Sequence, residues 1–367
     1  MPETPALPRA PWLSARAVGI GAAVITVAMW TAFIIIARAS AARSLTPLDL
    51  AAARIVGAAL VLLPWGWWLV RQARATGAAS GPIQGSSFFG LSPMSLRLTA
   101  LAGVFGAVLY AVFSYTGFFY APAAHASVLM PGSLPLWTAL LAALVLRDRI
   151  TPVRALGLVL IVAGDLLVGG RSLLHAFSGS ETWGPALAAA QTSLPPEGAP
   201  VALAPPGSGV WKGDLLFMAA AFCWACYAIV VRRHGLDAVR ATIAITVFAM
   251  FSFVPVYALL VGLGVLNSQL TSAPVGEVLF QMLFQGVGSV VISGITFTQM
   301  VRHFGPVRST MITALVPGLS ALGAVFFLGE PLHVNLLLGL ALVTAGILFG
   351  VRAIAAPKPP SAERCHA

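Results

Sequence analysis

Residues 27–38 read VAMWTAFIIIAR and residues 221–232 read AFCWACYAIVVR. Trp30 matches Trp224 and Arg38 matches Arg232, at a constant offset of 194 residues. Gly19 and Gly213 fall on the same register. Farther along the offset becomes 182, pairing Pro135 with Pro317, Asp148 with Glu330, Gly157 with Gly339 and Gly164 with Gly346. The change in offset places extra sequence around 71–97. The chain is therefore a tandem repeat, and the fold question is what one repeat unit is.

Composition answers it. Hydrophobic residues make up 59% of the 367 positions and charged residues only 9%, against about 25% charged in a soluble domain. A soluble fold could not cover that much apolar surface with so few charges. Ten apolar runs lie near 16–38, 47–70, 98–120, 124–146, 152–170, 211–233, 238–264, 276–301, 306–329 and 333–353. Each is near the ~20 residues that an α-helix needs to cross ~30 Å of hydrocarbon. Backbone groups in lipid must be satisfied internally, so each run is expected to be helical. The short alternating segments of a membrane β-barrel are absent. The first run is too long for a cleavable signal, carries Trp30 and leads into Arg38. The expected fold is all-α: a polytopic membrane protein of ten transmembrane helices in two five-helix repeats.

The net charge of +10 does not describe a nucleic-acid surface. With the N-terminus in the cytoplasm, sixteen of the 21 Lys and Arg residues fall on cytoplasmic segments. Four fall on the opposite side (Arg38, Arg43, Arg171 and Lys212), and Arg54 lies inside a span. This is the positive-inside asymmetry, and both termini are expected in the cytoplasm. Five spans per half is an odd number, so the second half starts on the opposite side and the repeats are inverted. That is a frequent plan of secondary transporters, with the substrate site near the midplane between the halves.

The expected organisation is a first repeat at 1–170, a flexible non-cytoplasmic linker at 171–210, a second repeat at 211–353 and a cytoplasmic tail at 354–367. The linker reading rests on Pro195-Pro196, Pro205-Pro206 and the surrounding Gly and Ser. Residues 76–95 have a similar composition on the cytoplasmic side. The C-x-x-C at Cys223 and Cys226 has redox or metal spacing, but the repeat puts Met29 and Ala32 in those places. No charge stands beside them to favour a thiolate, so they read as small apolar helix residues.

The stretches TPLDLAAARIVGAAL (46–60), PLWTALLAALVLRDRITPVRALGLVLIVAGDLLV (135–168) and VPGLSALGAVFFLGEPLHVNLLLGLALVTAGILFG (316–350) resemble the drug/metabolite transporter superfamily, and within it the EamA-type carriers. The last is the most specific: a Pro in a helix, an acid closing it, then a Gly-spaced helix. The likeness covers about 16–353 apart from the two inserted loops. It implies ten helices, an inner-membrane address, and export of small metabolites, often amino acids or related compounds. The chain departs from the family at Asp148, where Glu is usual, and in the length of 171–210.

Several residues in the spans stand out. Arg54 sits about seven residues into the second run, where a buried cation costs ~2.5–3.5 kcal/mol at mid-span. It either snorkels, pairs with an acid, or contacts an anionic group in the path. Asp165 is the one acid well inside a span, and is either structural or a coupling site. Pro131 and Pro135 break the fourth run and Pro317 breaks the ninth. Each proline removes the donor for the carbonyl four residues back, and breaks at matched positions point to a transport site. The expected site is a midplane cavity lined by Trp30, Tyr115, His125, Trp224, Tyr227 and Gln299, floored by Pro135 and Pro317, with Arg54 as a further contact. The spacing of Gly157/Gly164 and Gly339/Gly346 reads as close helix packing, and Gly346-x-x-x-Gly350 would also suit a homodimer face.

The reading is a secondary carrier, an exporter of a small metabolite, whose partners are that substrate and the lipid bilayer. A passive channel or facilitator is the alternative, and a membrane-embedded enzyme the more remote one. Lys212 and Lys358 are the only lysines and neither sits in a phosphate loop. Asp165 has no deep acidic partner for protease chemistry, and the six histidines are dispersed. No catalytic residue, metal site or cofactor is expected.

Overall fold

The structure, a computed structural model, describes residues 15–75, 86–177, 209–331 and 333–355. Ten long helices account for most of them: α1 Ala15–Ala41, α2 Pro47–Ala75, α3 Leu96–Tyr120 and α4 Ala123–Val145, and α5 Pro152–Phe177 form the first half. The second half is α6 Val210–Arg233, α7 Ala238–Gly262, α8 Val275–Gly305 and α9 Arg308–Leu328, and α10 Val334–Ala355. Among the described residues nine helices are long and apolar enough to cross a membrane, and α10 adds a shorter apolar stretch, Val334–Gly350. Their outward faces are apolar too: Leu60, Phe251, Phe326 and Leu338 are all exposed. So large an apolar exterior suits lipid, not water.

Local chemistry sets the helix ends. At α2, Thr46 precedes Pro47, and Asp49 three residues on accepts from the Thr46 amide at 2.9 Å. Proline at the first helical position forfeits no bond, and Thr46 with Asp49 forms a capping pair. Fully buried Asp49 also accepts from Tyr257 at the end of α7 and from the Gln269 amide. It thus ties the α7–α8 connection to α2. Asp237 caps α7, accepting from the Val239 and Arg240 amides.

The repeat symmetry is visible where α5 meets α10. A Cβ at Gly157 would lie 2.6 Å from the Gly346 carbonyl oxygen, and one at Gly339 would lie 2.9 Å from that of Gly164. Gly157 and Gly339 are repeat equivalents, as are Gly164 and Gly346, so each contact is the two-fold image of the other. Only glycine permits so close an approach. The spacing is thus used for packing inside the chain, and the face of Gly346 is filled by α5.

Two expected boundaries shift, and the described part of one insertion is ordered. Helix α5 runs on through Phe177, so the segment read as a linker starts seven residues later than 171; its remainder, 178–208, lies outside the described residues. The first ten residues of the 76–95 insertion also lie outside them. The rest forms a compact turn, with Ser92 and Met94 buried, Ser92 bonded to Thr99 at 2.6 Å, and Phe88 stacked on Phe251 of α7. Its Gly and Ser content suggested flexibility; the buried hydroxyl pair and the aromatic anchor hold it in place. Of the tail at 354–367, the first two residues belong to α10 and the rest lie outside the described residues.

Candidate functional site

The prolines break the helices where the sequence places them. Helix α4 is interrupted between Leu129 and Leu134, across Met130-Pro131-Gly132-Ser133, and α9 between Thr313 and Val316. Helices α3 and α8 carry wide π-type turns at Val104–Leu109 and Met282–Ile292. These are also equivalent positions in the two halves, and such turns are frequent at functional sites. All four irregular segments contribute to the wall of one cavity of about 520 Å³ between the halves. That is within the ~300–1,000 Å³ of small-molecule sites.

Of the residues singled out in the sequence, Trp30, Arg54, Trp224, Tyr227, Pro135 and Pro317 line this cavity. The two tryptophans occupy equivalent places and each meets a second ring. Trp30 stacks on Phe297 at 5.3 Å. Trp224 packs against Tyr110 at 4.9 Å and edge-on to Tyr227 at 5.2 Å. Polar character comes from hydroxyls such as Thr246, Ser289 and Ser293. No described Asp or Glu lines the cavity.

Four other residues lie elsewhere. Tyr115 is fully buried behind Phe33, 6.1 Å between rings, and does not reach the cavity. Gln299 is half-buried on α8 outside the lining. His125 sits in the first turn of α4, well before the break, and its Nδ1 is 2.8 Å from Asp214 of α6. Asp214 also accepts from Ser172 of α5 at 2.6 Å, so His125 joins three helix ends. A buried polar side chain needs a partner, and here the partner is an acid near the start of α6. Asp165 is buried away from the cavity, and both its carboxylate oxygens lack a hydrogen-bond partner. Cys223 and Cys226 are free thiols and neither lines the cavity.

Arg54 is the cation in the cavity's interior wall. Its guanidinium lies over the Phe33 ring at 5.3 Å and the Tyr110 ring at 5.7 Å. Its Nη1 is buried without a hydrogen-bond acceptor. Among the described residues no carboxylate comes within ion-pairing distance of it.

Two ion pairs that sequence reading did not foresee cross between the halves. Arg38 at the end of α1 meets Glu330 after α9 at 3.4 Å, and Arg232 at the end of α6 meets Asp148 after α4 at 2.7 Å. Since Arg38 is equivalent to Arg232 and Glu330 to Asp148, the pairs are two-fold images. Their surroundings differ. Glu330 also accepts from the Ala123 and Ala124 amides, each at 3.0 Å, closing the α4 N-terminus with a carboxylate, where the helix dipole favours one. That pair is mostly buried, with side-chain exposures of 18% and 12%. The Arg232–Asp148 pair is 55% and 29% exposed, and Arg232 lines the cavity. Toward the Arg38 end the lining residues Ile34, Met130 and Val316 are buried. The cavity is shut at the Arg38–Glu330 end and reaches the surface at the Arg232 end. The repeat offsets carried the signal for both pairs: each matches Arg to Arg and acid to acid.

The comparisons with known proteins agree with this architecture. The EamA-like transporter family matches residues 17–170 and again 211–352. An uncharacterized transporter of Bacillus subtilis (strain 168), YyaM, is 22% identical over 289 residues, covering 75% of this chain and 81% of its own. A solved protein crystal structure covers 93% of this chain and 99% of its own at 18% identity and a TM-score of 0.51. That likeness speaks for the fold alone. A double match over most of the chain, on ten apolar helices around a central cavity, makes this a multi-pass membrane transporter of the EamA-like family.

Proposed function

We propose that the chain is a secondary transporter that exports a small amphipathic metabolite, an amino acid or a related compound, across the inner membrane by alternating access. The observation that carries this reading is the unequal pair of closures. Two symmetry-related ion pairs guard opposite ends of one cavity; one is sealed and capped onto α4, the other is open to solvent. In an inverted repeat the exchanged arrangement is equally available to the chain. Asp148 would then cap the start of α9 while Glu330 releases α4, and the cavity would open on the other side. The charge asymmetry assigns the open end to the cytoplasm and both termini to the same side, so the arrangement described is the one that loads substrate for export. Asp165, buried in α5 without a partner, is the residue we assign to coupling.

The test is reconstitution of the full chain in liposomes, with flux followed with and without a pH gradient. A metabolite screen comparing cells with and without the protein supplies the candidates. Saturable flux with counterflow exchange supports a carrier. Flux linear in concentration without counterflow would make it a passive channel and defeat the proposal.

A further inference from the structure

We infer that Arg54 is the anchor for a carboxylate, so that the cavity takes a small organic acid with an apolar body. This rests on the transport reading and names its substrate class. Helix α2 carries Arg54 inside a span, where a cation needs compensation worth several kcal/mol. The protein supplies only part of it. Phe33 and Tyr110 hold the guanidinium between ring contacts at 5.3 and 5.7 Å, which stabilises the positive charge. Ring faces do not satisfy N–H donors, and Nη1 remains without an acceptor. The Tyr115 hydroxyl stands beside it, near enough for a weak hydrogen-bonding contact, but neither that hydroxyl nor Nη1 has a partner at full hydrogen-bonding geometry. Among the described residues no acid forms an ion pair with Arg54, and the best-bonded acids are committed elsewhere: Glu330 to Arg38 and α4, Asp214 to His125 and Ser172, Asp49 to Thr46, Tyr257 and Gln269. The missing acceptor must come from the cavity, which Arg54 lines.

A guanidinium matches a planar carboxylate with two parallel N–H···O bonds. A phosphate ester would bring a second negative charge and a third oxygen. The other cation on the wall, Arg232, is held by Asp148 at the rim, so a dianion would lack its second partner. The remaining walls are apolar and aromatic, with Trp30, Trp224, Tyr227 and Phe297 around the space, which suits a hydrocarbon or aromatic body. An amino group finds no described acid there; it would rest on hydroxyls and ring faces. Plain carboxylic acids and amino acids therefore share the anchor, and the experiment separates them.

The purified full chain in lipid nanodiscs is titrated by calorimetry and thermal shift with phenylacetate, L-phenylalanine, the neutral phenylacetamide and phenyl phosphate. The expected result is binding of phenylacetate, L-phenylalanine or both at least tenfold tighter than phenylacetamide, with phenyl phosphate weaker than the better carboxylate. Arg54→Gln should erase the preference, and Arg54→Lys should retain part of it. Which carboxylate binds more tightly decides between a plain acid and an amino acid. Phenylacetamide binding as well as either carboxylate, phenyl phosphate binding best, or no carboxylate binding would each overturn the inference. So would a preference that survives in Arg54→Gln. The wild-type comparison decides the matter even if Arg54→Gln does not fold. Saturable liposome flux of a neutral compound without Arg54 dependence would leave the transporter reading standing and remove this one. Arg54-dependent carboxylate binding without any flux would do the reverse.

Discussion

Side chains at the cavity wall and side chains one turn away from it make different commitments. Trp224 touches Tyr110, Tyr227 and the cavity. Trp224→Ala removes an apolar wall and frees two rings, each such pair contributing ~0.5–1.5 kcal/mol. A transported substrate should then bind roughly tenfold more weakly, since that factor corresponds to about 1.4 kcal/mol. Gln299 lies outside the lining, and Gln299→Ala should leave the apparent affinity within about twofold in the same liposome uptake assay. Asp165→Asn should keep counterflow exchange and lose accumulation driven by a pH gradient, because the amide holds no exchangeable charge. Accumulation that persists would move coupling to another group. Arg54 could be picked from sequence because a cation in a span is costly wherever it sits. His125 and Tyr115 could not be placed, because their neighbours Asp214 and Phe33 come from other helices. A polar residue in a span announces that it needs a partner, not which one.

Helices carry the legible part of the fold. Length and hydropathy located all ten, and proline chemistry located both breaks, since the lost donor is a property of the residue itself. The π-type turns in α3 and α8 left no mark in the sequence, because they arise from packing and not from a residue type. The glycine spacing told of a close crossing but not that α5 meets α10. That crossing makes a sharp prediction. A methyl at Gly157 would fall 2.6 Å from the Gly346 carbonyl oxygen, on backbone that cannot swing aside, whereas a methyl at Gly350 would meet nothing within 4 Å. Gly157→Ala should therefore lower the thermal midpoint of the purified protein, by an overpacking cost of about 1–3 kcal/mol. Gly350→Ala should leave it unchanged or raise it slightly, as alanine is the better helix former. Equal midpoints for the two variants would mean that α5 and α10 are farther apart than described.

At the scale of the whole molecule, the proposed alternation makes the balance between the two closures decide which face the cavity opens to. Glu330 makes more bonds than its equivalent Asp148: besides its arginine it takes two α4 amides, while Asp148 has Arg232 as its described side-chain partner. Removing one carboxylate should therefore tilt the balance in a direction that depends on which end loses it. Glu330→Ala uncaps α4 and loosens the sealed end. A helix cap contributes about 1 kcal/mol, so the population open at that end should rise roughly fivefold. Asp148→Ala weakens only the closure needed for the opposite state, and should hold the cavity open at the Arg232 end. The readout is a cysteine at Ser293 on the cavity wall, in a chain with its three native cysteines replaced by serine. A membrane-impermeant maleimide is applied from either side of sealed vesicles. The parent chain should label mainly from the cytoplasmic side. Glu330→Ala should add labelling from the other side, and Asp148→Ala should suppress what little occurs there. Unchanged labelling in both variants would mean that these ion pairs only join the halves together, and that alternation is governed by the broken turns at Pro135 and Pro317 instead.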